Sequence, residues 1–264
     1  MIYNVNQPIS EESLMNIMEI LSKAKAEKAK TLDLNGLSLK ILPEELFELE
    51  DLEELMLDEN ELVEVPDEIG NLKNLKKLSL ARNDLMDVPE TIGNLTKLEA
   101  LYLGYNCLSE LPETVGKLKN LKQVNIAQNQ LQDLPKSVKN WQKVEKISLH
   151  DNMLAELPAE IFTLESLRKF YVDNNSLEAL PAKIGGAKAL EVFVVSGNQL
   201  TEIPGEIGKL ENLRERILDK NQLETLPETL ADCKKLETIS IAENQISEDT
   251  IKALSKKLTA KIDA

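Results

Sequence analysis

Residues 52 to 74 read Leu52-Glu-Glu-Leu55-Met-Leu57-Asp-Glu-Asn60-Glu-Leu62-Val-Glu-Val65-Pro66-Asp-Glu-Ile69-Gly70-Asn-Leu72-Lys-Asn74, and Leu75 starts the same pattern 23 residues after Leu52. Asparagine recurs at Asn60, Asn83, Asn106, Asn129, Asn152, Asn175, Asn198, Asn221 and Asn244, always at a step of 23. Proline recurs at the same step at Pro43, Pro66, Pro89, Pro112, Pro135, Pro158, Pro181, Pro204 and Pro227. Two ladders locked together without an insertion are the signature of a solenoid, in which each unit touches only its neighbours.

Leucines two apart, such as Leu55 and Leu57, point the same way from an extended segment. The next unit supplies hydrogen-bond partners, so the segments form a parallel sheet with strands ~4.8 Å apart. The return half of the unit, with Pro66, Ile69 and Leu72 inward, needs more width, up to ~8–10 Å for packed helices. Unequal spacings joined rung by rung bend the array, strands on the inside. Ten strands leave nine gaps, a sheet of roughly 43 Å. Each ladder asparagine turns inward, and its amide is expected to satisfy the turn and the next repeat, at ~1–3 kcal/mol per group otherwise unpaired.

The ends depart from the pattern. Ser10 is a good N-cap, Glu11 and Glu12 suit a first turn, and Leu14, Ile17, Met18 and Leu21 make one apolar stripe. Residues 10–28 read as an amphipathic helix that either covers the first repeat or docks a partner. After Asn244 the pattern breaks. Ser247 can N-cap a closing helix with Ile251, Leu254 and Leu258 inward and Lys256, Lys257 and Lys261 near its end. The expected divisions are 1–28, an N-terminal segment and capping helix; 29–246, ten repeats; and 247–264, a C-terminal capping helix.

The chain has 264 residues, 31 Lys+Arg against 46 Asp+Glu, and a net charge of −15. This acidity disfavours nucleic acid and anionic membranes and favours a protein partner with a basic patch. Cys107 and Cys233 are far apart and no paired cysteines flank the array. The start, Met1 to Pro8, lacks the basic and apolar regions of a secretory signal, and no apolar run approaches the ~20 residues that span a bilayer. These features predict a cytoplasmic monomer.

Some core columns hold unusual residues. Trp141 stands where Leu118 and Leu164 stand in other units, and reads as core. Ala187 shares that column, with Phe170 and Phe193 nearby to trade volume. Cys233, also in it, reads as an inert buried thiol. Arg216 conflicts with its column, where other units carry Leu, Val, Ile or Phe. Either the strand shifts to turn Ile217 inward, or Arg216 reaches an acid such as Glu215 or a groove partner.

Residues between the strand leucines face the concave side and are free of packing demands. From these columns and their edge the candidate partner-binding residues are Met56, Asp58, Lys77, Arg82, Tyr102, Tyr105, Asn125, Lys146, Ser148, His150, Lys169, Tyr171, Asp173 and Val194. Three of the four tyrosines fall here, and tyrosine is enriched at binding hot spots. Asp33, Glu54, Asp58, Glu59 and Glu61 make the first part acidic, whereas Lys77, Arg82, Lys146 and Lys169 make the middle partly basic. Catalysis is not expected. A single histidine, His150, excludes a multi-histidine metal site. Ser148, His150 and Asp173 imitate a triad on paper, but an open groove offers no excluded pocket or oxyanion donors. Cys107 lacks a basic neighbour, and no phosphate-cradling glycine loop is present, so no cofactor is implied.

The form LPxxIGxLxxLxxLxLxxNxL at a constant step of 23 resembles the intracellular Ras-group leucine-rich repeats, over about residues 29 to 246. Those include Ras-pathway scaffolds, the repeat domains of Scribble-like polarity proteins and Roco GTPases, and many bacterial proteins. The resemblance implies an α/β solenoid, a leucine-rich repeat horseshoe. It has a ten-stranded parallel concave sheet, short 3-10 or α turns on the convex side and helical caps at both ends. It further implies a non-catalytic adaptor or scaffold binding a protein on the concave face. The alternative is the targeting repeat domain of a larger signalling enzyme, of ubiquitin ligase, GTPase or kinase type.

Overall fold

The computed structural model describes residues 11–258 and 260–263; the proposed cap at Ser10 and the Leu14 side chain lie outside that description. Helix α1 (Glu11–Glu27) comes first. Eleven strands then form one parallel sheet in chain order. They are β1 Thr31–Asp33, β2 Glu54–Met56, β3 Lys77–Ser79, β4 Ala100–Tyr102, β5 Gln123–Asn125, β6 Lys146–Ser148, β7 Lys169–Tyr171, β8 Val192–Val194, β9 Glu215–Ile217, β10 Thr238–Ser240 and β11 Lys261–Asp263. Every pairing carries the 23-residue offset, so that Leu55 faces Leu78 and Leu78 faces Leu101.

Each return from β1 to β9 passes through a five-residue 3-10 turn placed directly after a ladder proline, such as Asp67–Asn71 after Pro66. Proline has no N–H to satisfy, and its fixed φ sets the entry. Two short bonds, Ile69 N to Pro66 O (3.0 Å) and Leu72 N to Ile69 O (3.2 Å), complete the turn and turn Ile69 and Leu72 into the core. Successive turns pack closely. A Cβ added at Gly93 would lie 2.7 Å from both the Cβ and the carbonyl oxygen of Thr114, so the Ile-Gly glycines permit backbone approach.

The ladder asparagines are buried, apart from the half-buried Asn152 and Asn244, but their direction differs from expectation. Asn83 Nδ2 donates to Leu80 O in its own repeat and to Leu57 O in the preceding repeat, while its Oδ1 accepts from Leu62 N at 3.1 Å. The amide thus ties each rung to the one before it. The residue in front of each ladder asparagine takes a left-handed backbone: Arg82 at φ 57°, Tyr105 at 59°, Asp151 at 55°. Only one of those positions, Gly197, is glycine, so each of the others carries strain of roughly 1 kcal/mol.

The sheet has one strand more than the ten expected. The closing helix α2 (Glu248–Ser255) is capped by Ser247, whose hydroxyl accepts from Thr250 N, and it ends at Ser255. The chain then returns to register. Lys261 pairs with Thr238, 23 residues earlier, and Ile262 stands opposite Ile239. Lys261 therefore lies on β11 rather than at a helix end. No ladder asparagine follows this rung, which is why the pattern was invisible there. At the other end, Ile17, Leu21 and Ala24 of α1 are buried in the core of the first repeats.

The strand carrying Arg216 does not shift: Arg216 pairs in register with Phe193 and Ile239, and Ile217 stays on the concave side. Arg216 is 0% exposed, and none of its three side-chain nitrogens has a hydrogen-bond partner. Its guanidinium lies 6.0 Å from the Phe193 ring. Desolvation pulls its pKa down to about 9. Neither proposed escape, a shifted strand or an acidic partner, is taken. Trp141 is core, with Nε1 donating to Val115 O at 2.9 Å. Cys233 is also buried, its thiol pushed upward in pKa by desolvation. Phe162, Phe170 and Phe193 cluster with centroids 5.7–6.4 Å apart, in the rungs around small Ala187.

Candidate functional site

Period-two geometry brings the central column of every strand to one face, so residues 23 apart in sequence become lateral neighbours. Tyr102 on β4 and Tyr171 on β7 are half-buried there, and Tyr105 is exposed at the edge that follows the strands. Each tyrosine is met by a cation from the preceding repeat. Lys77 Nζ lies 5.9 Å from the Tyr102 ring centre, Arg82 4.3 Å from Tyr105, and Lys146 Nζ 5.4 Å from Tyr171. Such pairs hold both side chains against the sheet while leaving ring and charge open to a partner. Tyr102 Oη also donates to Gln123 Oε1 at 2.8 Å, and burial raises the pKa of both Tyr102 and Tyr171.

Lys146 and Lys169 stand directly opposite on neighbouring strands, both exposed. Neither joins an ion pair among the described residues. Met56, Asn125 and Val194 line the same central column and are partly exposed. Ser148 is 6% exposed: a small side chain between Asn125 and Tyr171, it forms a low point of the groove rather than an accessible contact. Asp58 turns its carboxylate inward along the sheet, accepting from Ser79 Oγ at 2.6 Å and Ala81 N at 2.8 Å. Asp219 does the same for Ser240 and Ala242.

The apparent triad does not assemble. His150 Nδ1 lies 2.8 Å from Asp151 Oδ2, so the imidazole is engaged by its chain neighbour and not by Asp173. Asp151 also accepts from Asn174 and Gln128, and these bonds, against the upward pull of desolvation, hold its pKa below the usual carboxylate range. Asp173 moves the other way, raised by desolvation. No group of three or more metal-ligating side chains forms among the described residues.

One feature of the surface escaped the reading of the groove columns. The residue just before each of the first ten strands alternates in sign without a fault: Lys30, Glu53, Lys76, Glu99, Lys122, Glu145, Arg168, Glu191, Arg214, Glu237. Along this leading rim Lys76 reaches Glu53, Lys122 reaches Glu99 and Arg168 reaches Glu191, each at 2.6 Å. The signal lies in the sequence, one column outside the three that face the groove.

Comparison with known proteins places this architecture. Residues 27–85 match the leucine rich repeat model, and residues 73–113 and 96–139 match the model of leucine rich repeats in two copies. No curated protein matches. Among solved structures the chain is similar to YopM, a leucine-rich effector protein from Yersinia pestis. The identity is 29%, 99% of this chain and 67% of that one are covered, and the TM-score is 0.71. It is similar to the plant peptide hormone receptor RGFR1, solved in complex with RGF2, at 30% identity over 89% of this chain and 47% of that one, TM-score 0.53. The leucine-rich repeat ectodomain of the Arabidopsis thaliana receptor kinase GASSHO1/SCHENGEN3 matches in fold alone, at 24% identity over 88% and 35% of the two chains, TM-score 0.65. The chain thus spans two thirds of the Yersinia protein and less than half of the plant receptor. Its fold is a leucine-rich repeat solenoid.

Proposed function

We propose that this chain is a non-catalytic protein–protein interaction module of the intracellular Ras-group type, an adaptor or scaffold that holds a protein partner on its concave face. Residues 29–246 act as one recognition surface closed at each end. The observation that carries the reading is the set of three tyrosine–cation pairs on the sheet and its trailing edge, Lys77–Tyr102 and Lys146–Tyr171 on the sheet and Arg82–Tyr105 at the edge. They present rigid aromatic area with a charge beside it, the combination found at interface hot spots. The in-register Lys146–Lys169 pair suits carboxylates on the partner, while the acidic opening repeats suit its basic patch. The free thiols Cys107 and Cys233 support a cytoplasmic setting. The peptide ligand in the RGFR1 structure, a 30% identical relative, supports a protein or peptide partner.

Lys146→Glu and Lys169→Glu combined with Tyr171→Ala should abolish partner capture from the source cell while leaving circular dichroism unchanged. Capture that survives the triple substitution overturns the concave-face reading. A second reading is favoured by the chain covering only 47% of that receptor: a targeting domain of a larger signalling enzyme. The full reading frame separates the two.

A further inference from the structure

The opposite rim, formed by the loops that follow the strands, differs in kind from the alternating one. Val63 is 41% exposed and Met86 66%, and they sit side by side through Met86 N and Val63 O (3.5 Å). Ile41, 63% exposed, lies one rung back in the adjacent column, the one Glu64 occupies in the next repeat, and the stripe's own place on that rung is taken by Lys40. Around the stripe lie the carboxylates of Glu64, Asp84, Asp87 and Glu110, all exposed. No ion pair among the described residues reaches any of the four; the nearby cations Lys40 and Arg82 go to Glu61 and Glu59 instead, at 3.8 Å. Glu64, Asp87 and Glu110 overlook a shallow groove of about 460 Å³ floored in part by Val88, Pro89 and Pro112.

Apolar side chains held in water and bordered by uncompensated charge of one sign mark a docking surface. We infer that the trailing rim over β2 to β4 binds a basic amphipathic helix of a partner protein, distinct from the concave groove. The charge selects the occupant: four unpaired carboxylates call for lysine or arginine flanking an apolar stripe, and they repel acidic segments. The spacing selects its form. Rungs recur every ~4.8 Å, close to the ~5.4 Å pitch at which a helix repeats one face, so a helix laid along the rim offers one apolar side chain per rung. None of these residues belongs to the groove, so this surface stands or falls separately from the concave-face reading.

The test is fluorescence anisotropy on the full chain at physiological ionic strength. The probe is a Lys/Leu peptide of about 14 residues, four helical turns, with leucine at i, i+3, i+4 and i+7. It should bind; Val63→Ser with Met86→Ser should weaken it by about tenfold, and Glu64→Gln with Asp87→Asn should weaken it and flatten its salt dependence. The Lys146, Lys169 and Tyr171 triple variant should bind it normally. A scrambled peptide of equal charge binding equally well would reduce the site to diffuse attraction and overturn the proposal. So would indifference to the rim substitutions, loss of binding in the groove variant, or a dimer in ultracentrifugation that Met86→Ser dissolves.

Discussion

The leading rim and the interior of the ninth rung hold charge in opposite ways. Along the rim ten ionic side chains stand in water, each beside neighbours of the opposite sign. Inside rung nine a single guanidinium is sealed off with no partner for any nitrogen. An exposed pair of this kind contributes ~0–1 kcal/mol, because water already stabilises each member. A buried unpaired charge costs several times more, because nothing replaces that water. The array tolerates both since each rung answers only to its neighbours. The contrast shows that placement, not the number of charges, decides the energy. Nothing in the structure explains why arginine is retained at 216.

The contrast can be tested at its extremes first. Arg216→Leu should raise stability by about 2–4 kcal/mol in denaturant unfolding, since leucine already fills this column elsewhere. An unchanged or lower midpoint would show the guanidinium to be well accommodated. The same gain should depend on pH. The folded pKa of Arg216, about 9, lies below its unfolded value, so the unfolded chain binds more protons between the two. Stability of the native chain therefore rises as pH climbs through about 9, and the advantage of Arg216→Leu should narrow there. At the rim the effects are smaller. Glu99→Lys sets three cations in a row with Lys76 and Lys122 and should lose about 0.5–1 kcal/mol, partly recovered at high salt. Glu64→Lys on the trailing rim, among acids, should lose nothing. The smallest effect lies between the extremes, at partly covered carboxylates. In an NMR titration Asp151 should protonate below the ordinary aspartate range and Asp173 above it, one repeat apart. Parallel titration would mean that the His150, Asn174 and Gln128 bonds to Asp151 do not persist in solution.

Fold and site were unequally legible. A constant step with two ladders determines strand, turn and register, because Leu55, Asn60, Pro66 and Ile69 each have one place to go. The eleventh strand was hidden because its rung lacks the asparagine and proline that mark the others, leaving only Ile262 in the strand column. In the groove, column membership told which residues share a face but not how deep each lies. Ser148 is buried because its lateral neighbours are larger, and Asp58 is occupied because Ser79 stands one rung on with a hydroxyl to give. The Arg216 conflict was visible as a clash of residue and column, but its outcome depended on whether an acid lay within reach, and none does.

The alternating rim has a consequence for how such an array can lengthen. Its sign pattern repeats not with every unit but with every second one, so the rim has a period of two units although the backbone has a period of one. A duplication or loss of a single unit would preserve every leucine and asparagine and still bring two like charges together at the joint. Gain or loss in pairs leaves no such seam. The chain therefore carries a parity: its core counts rungs one at a time, and its surface counts them by twos.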